Sequence, residues 1–257
     1  NHFLRGISPS LAVETGYLRQ VPIPQKLHHK DRLNKLEMKI ISLKETINEK
    51  EVTERIYGIN YQNINSRILL DLLRIESKIL FLEGEIENIV FSEYMLNSND
   101  IKEVLGELGT PVAYYPLIEG YDDIPFSNEE ILDLNADTMS NYKALKRLSV
   151  SCEILENICF DLKEVYETGP KQMDEQKPVS ANANFVPIPV DSYIEELSNQ
   201  LKIHPISVYW LLKEGIEQEG WRCIPEEQRI TADRFTVMIL RMLGHRWPKQ
   251  IEAGEPV

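Results

Sequence analysis

Cysteine is scarce in this sequence: three residues in 257, an odd number that makes neither a disulfide framework nor a Cys/His metal ligand set. A reducing, cytoplasmic setting is expected. No run of about eighteen apolar residues occurs, so no membrane-spanning helix and no membrane partner is expected. A glycine-rich phosphate loop, the H-E-x-x-H metal motif and the nucleophile elbow are missing. Asn1 to Gly6 has neither an initiator Met nor a charged region followed by an apolar stretch, which excludes a signal peptide and reads as a cut end. His28 and His29 adjoin and read as a solvated helix entrance, while His204 and His245 stand alone. The acid pairs Asp122, Asp123 and Glu129, Glu130 lie in or beside a loop, with nothing to imply a pocket around them. No catalytic residue, metal ligand or cofactor site is assigned.

What the chain does have is heptad spacing. Leu33, Leu36, Ile40, Leu43 and Ile47 recur at alternating three- and four-residue steps. So do Ile68, Leu72, Ile75, Ile79, Leu82, Ile86 and Ile89, and again Leu145, Leu148, Cys152, Leu155, Cys159, Leu162 and Tyr166. Each set falls on one helical seam that must lie against another helix, with Cys152 and Cys159 as small apolar core residues. The spacing predicts helices over about 31–57 and 61–95, joined at Gly58 and folded back as an antiparallel hairpin. A short helix is expected over 98–108. An ordered connector follows over 109–126, then a helix opened by the capping box of Ser127 and Glu130, and a third long helix over 138–167.

The Pro-, Gln- and Asn-containing stretch 169–190 reads as a linker. The expected organisation is therefore 1–27 as the end of an upstream region, 28–168 as a helical spacer with the coiled-coil hairpin, the linker, and 191–257 as a C-terminal module. The fold class is mainly α. Charge is uneven, +3 over residues 1–60, −13 over 61–170 and −3 beyond, which assigns the acid to solvated helix faces and leaves the two ends free to meet a polyanion.

In the C-terminal module Leu197, Ser198, Leu201, Ile203, Val208 and Leu211 follow helix-turn-helix spacing, with Lys202 where glycine is common in the turn. A second helix over 205–213 would offer Pro205, Ser207, Tyr209, Trp210 and Lys213 outward. Arg222, Arg229, Arg234, Arg241, Arg246 and Lys249 could add phosphate contacts. The DNA-binding candidates are Ser207, Tyr209, Trp210, Lys213, Arg222, Arg229 and Arg234. The same geometry serves equally as a protein-docking module whose aromatics are core or interface.

Three phrases carry a family resemblance. Ile7-Ser8-Pro9-Ser10-Leu11 followed by Tyr17-Leu18-Arg19-Gln20-Val21-Pro22-Ile23-Pro24 resembles the segment closing the catalytic and target-recognition region of large adenine-specific DNA methyltransferases. Ile86 to Leu96 resembles their spacer phrase. His204 to Leu212 with Leu243-Gly244-His245-Arg246-Trp247-Pro248 is similar to the tails of the methyltransferases of phage-defence systems of the BREX and DISARM kinds, relatives of fused restriction-methylase enzymes. The resemblance implies a parent that methylates adenine N6 from S-adenosylmethionine on a flipped base. This chain has no N-P-P-Y motif and no S-adenosylmethionine loop, so it holds no cofactor of its own. The expected function is the non-catalytic C-terminal part of such an enzyme, supporting binding of double-stranded DNA or of other defence-system proteins. The alternatives are a stand-alone helical adapter and a coiled-coil DNA-binding regulator.

Overall fold

The computed structural model describes residues 24, 26–49, 66–169 and 190–244. The N-terminal phrases at 7–11 and 17–23, the turn at Gly58, residues 170–189 of the linker and the 245–257 tail lie outside the described residues. Those described are mainly helical. The helices are α1 (Lys30–Asn48), α2 (Ser66–Glu93), α3 (Ser98–Leu108), α4 (Asn128–Asp133), α5 (Ala136–Ala144), α6 (Cys152–Thr168), α7 (Val190–Leu201), α8 (Pro205–Gln218) and α9 (Ile224–Met242). A 3-10 turn (Val112–Tyr114) and two short strands, β1 (Leu117–Ile118) and β2 (Arg147–Leu148), lie between them. No described helix is long and apolar enough to cross a membrane.

The second seam understates α2. Leu69, Leu70, Leu72, Leu73, Ile75, Ile79, Leu80, Phe81, Leu82 and Ile89 are all buried, which is more than one stripe can hold. A helix that is apolar all round belongs in the centre, and α2 packs against α1, α7, α8 and the 3-10 turn. The first seam is used as its spacing predicts, with Leu36, Ile40, Leu43 and Ile47 buried. Contacts between α1 and α2 run in opposite chain senses: His29 meets Glu93, Arg32 meets Glu85 and Lys44 meets Glu83. The turn that would make them a hairpin lies outside the described residues.

The third long helix does not form as one piece. Leu145 caps α5, Leu148 lies in β2, and Ser151 starts α6 afresh by accepting a hydrogen bond from the Ile154 amide. The cause is a competing partner. Residues 147–148 pair in parallel with Leu117 and Ile118, and a strand bond cannot be made by a helical backbone. Within α6 the seam survives, with Leu155 and Cys159 partly buried against the core, whereas Cys152 is exposed, contrary to its expected core role. The last two members of the seam, Leu162 and Tyr166, are buried together with Val165.

The solvated acid expected on the middle segment is also partly wrong. Glu76, Glu85 and Glu93 on α2 are buried, together with Lys78. Each ion held away from water needs a partner. Arg32 and Asn141 donate to Glu85 at 2.8 and 3.1 Å, and Lys78 donates to Glu130 at 2.7 Å. The amides of His28 and His29 donate to Glu93 at 3.0 and 2.6 Å. The His28–His29 entrance is therefore tied to the far end of α2.

Residues 191–244 do not stand apart as a separate module. The buried side chains of α7 and α8 form one continuous core with those of α1, α2 and the connector. The connector over 109–126 is the reason. It runs through the interior, with Leu117 and Ile118 buried, and meets α8 from one side and β2 from the other. The His204 amide donates to the Pro116 carbonyl at 3.0 Å and the Ile118 amide to Ser207 Oγ at 2.9 Å. The capping box at Ser127 and Glu130 and the helix at 98–108 match expectation.

Candidate functional site

The turn between α7 and α8 has helix-turn-helix character in its backbone. Lys202 adopts φ +57°, the left-handed conformation that favours glycine at that place. The Ile203 amide returns to the Ser198 carbonyl at 3.3 Å, closing the end of α7. Pro205 opens α8 at its first position. His204 is the cap: its Nδ1 accepts from the Ile206 amide at 3.2 Å. That bond puts the ring proton on Nε2, on the side of the Ala113 carbonyl. Burial drives the pKa of His204 down to about 3, so the cap is a neutral imidazole at ordinary pH.

The helix so started is a core helix. Pro205, Ile206, Ser207, Val208, Tyr209, Leu211, Leu212, Gly215 and Ile216 are buried. Of the DNA-binding candidates, Ser207 is spent on the Ile118 amide and Tyr209 lies in the interior, so neither faces outward. Trp210 is half-buried and donates from Nε1 to the Asp123 carbonyl at 2.6 Å. Lys213 stacks over that indole at 5.4 Å and pairs with Glu217 at 3.0 Å. Further on, exposed Arg222 is gripped by Glu227, and half-buried Arg229 pairs with Asp233 at 3.0 Å. The side chain of Arg234 lies outside the described residues. The structure thus spreads the seven candidates over two helices and a loop, and carboxylates sit against three of the cations.

Other polar groups serve packing. Tyr121 donates to Glu214 at 2.6 Å, and this bond followed by burial pushes its phenol up to about 12. Burial opposes the charge on Glu130, but the Lys78 ammonium and the Ser127 amide outweigh it and hold the carboxyl down to about 2. Burial lowers the pKa of Lys78 in turn. Such a pair fixes α4 against α2 and has the geometry of a structural bridge. No group of three or more His, Cys, Asp or Glu side chains among the described residues is placed to hold a metal ion.

The feature that sequence reasoning missed is α9. Beyond Arg229 only Asp233 and Leu240 among its described side chains are partly covered. Phe235, Met238, Ile239, Met242 and Leu243 are exposed, Met242 and Leu243 each at 79%. Their offsets of three, four, seven and eight residues from Phe235 place them on one face. Large apolar residues scattered singly on a surface are ordinary, whereas a continuous stripe marks an interaction site. The signal in the sequence is the helical period of these apolar residues, which are interspersed with arginines. Compared with known proteins, the chain matches no family model, no curated protein and no solved structure.

Proposed function

We propose that this chain is a non-catalytic helical docking module, whose work is association through α9 and not base reading through α8. The observation that supports this most is the contrast between the two helices. The one with the spacing of a DNA-reading helix is enclosed, and the next one presents its apolar face to solvent. A helix that enters a major groove must carry free polar side chains on its outer face, and α8 has little beyond Trp210 and a paired Lys213 to offer. The setting that the resemblance implies is the C-terminal part of an adenine-specific DNA methyltransferase of a phage-defence or restriction system. There the catalytic half would hold S-adenosylmethionine and double-stranded DNA, and this part would position it or dock partner proteins.

Two measurements test the reading. Fluorescence anisotropy of a labelled duplex at low salt should show no saturable binding by the chain alone. Saturable, salt-sensitive binding lost on Lys213→Glu would overturn docking in favour of the regulator. Reading the frame upstream of Asn1 tests the setting: an N-P-P-Y motif preceded by an S-adenosylmethionine loop supports it, and a start codon directly upstream overturns it.

A further inference from the structure

We propose that residues 26–35 form a polar strap that closes on the C-terminal turns of α2 through two buried carboxylates, and that it opens as a unit while the core stays shut. The strap leads into α1 and is held unlike the rest of that helix. None of its residues is buried, and of its two apolar side chains Leu27 is exposed while Leu33 packs only partly against the core. Burial along α1 begins at Leu36 and continues through Ile40, Leu43 and Ile47. Segments with few buried apolar contacts are the ones that open locally, without the rest of the fold.

What holds the strap is charge. Glu93, the last residue of α2, has a side chain only 2% exposed, and it accepts from the His28 and His29 amides and from His29 Nδ1, the last at 2.8 Å. A carboxylate can only accept, so the ring carries its proton on Nδ1. His29 makes no side-chain cap for α1, and Glu93 supplies that cap from another helix. The helix dipoles favour closure, because a carboxylate is stabilising at the start of α1 and destabilising at the end of α2. Further back along α2, Glu85 is 4% exposed and receives Arg32 of the strap at 2.8 Å. The same guanidinium reaches Thr138 Oγ1 and Asp137 of α5 at 3.3 and 3.5 Å. Opening returns both carboxylates to water, which replaces the donors they lose, so the strap comes away without stranding a buried charge.

The test is native-state hydrogen–deuterium exchange of the full chain and of Glu93→Ala. The expected result is exchange faster by about tenfold or more at the amides of His28, His29, Leu33, Asn34 and Lys35, with Leu43 to Ile47 of α1 and Leu72 to Leu82 of α2 unchanged. Arg32→Gln should speed the His28 and His29 amides as well, although both bond to Glu93 and not to Arg32, because the strap opens as one piece. Should a variant lose helix by circular dichroism, two others replace them: Glu93→Gln, and Arg32→Gln combined with Glu85→Gln, which leaves no unpaired buried charge. Unchanged exchange over residues 28–35 in the Glu93 variant overturns its hold on the strap. Acceleration that spreads into Leu72 to Leu82 overturns opening without the core. Faster exchange at Lys35 on loss of Arg32, with His28 and His29 unaffected, overturns the strap as a unit.

Discussion

His204 shows how much one side chain can do when the fold encloses it. It stands alone in the sequence, with nothing to mark it beyond the proline that follows. In the structure it caps α8, and its own amide reaches the connector at Pro116. The pH dependence follows from burial. The folded pKa of about 3 lies below the ordinary value of 6.5, so the unfolded chain binds a proton that the folded chain refuses between those values. This contribution to stability is fully present above about pH 6.5 and is lost as pH falls through that window towards 3. His204→Asn keeps a side chain that can cap and removes the titration. The urea midpoint of the parent should fall relative to that of His204→Asn by the equivalent of about 2 kcal/mol between pH 7.5 and 5. A constant difference between the two proteins across that range would place the ring in water. Lys202 is a second residue whose role was half legible: its place in the turn was readable where glycine is common, and its φ of +57° supplies the reason.

At the scale of elements, close approaches decide which helices can touch. Gly215 lies where α8 meets the Trp221 indole, and any Cβ added there would overlap the ring. The ring has little room to yield, since Trp221 is buried and its Nε1 donates to Glu219 at 2.7 Å. Gly215→Ala should therefore destabilise the chain by about 1–3 kcal/mol, despite the better helix propensity of alanine. Gly106→Ala in α3 is the control, because nothing lies within 4 Å of the added atom. It should be neutral or stabilise by about 0.5–1 kcal/mol. Urea denaturation of both variants checks the pair, and equal effects would contradict the approach of Trp221 to α8. The elements legible in the sequence were those set by local chemistry: the α1 seam, the capping box at Ser127, the helix over 98–108 and the proline start of α8. The illegible ones depended on distant partners. Periodicity across 145–166 was helical throughout, and only pairing with Leu117 and Ile118 turns Arg147 and Leu148 into strand.

At the scale of the whole molecule, a division into spacer and C-terminal module gives way to one core. The expectation of separate units came from composition over 169–190, which says nothing about whether the segments on either side share an interior. They do so through the connector, whose Leu117 and Ile118 are buried with Ile206, Leu211 and Leu212 of α8. Tyr193 of α7 closes the same interior by donating to the Tyr166 carbonyl at 3.0 Å, with the two rings edge to face. The candidate site shifted for the same reason. Residues chosen as outward on an independent module, Ser207 and Tyr209, became interior once that module joined the rest, and the exposed apolar surface moved to α9. In this arrangement α8 is a structural helix of a shared core. Native-state hydrogen–deuterium exchange tests it most directly, because slow amides report the least frequently opened parts of a fold. Amides of α8 from Tyr209 to Ile216 should exchange as slowly as those of α2 from Leu72 to Leu82. Fast exchange in α8 beside a protected α2 would contradict it, since an independent reading module would then open without the core.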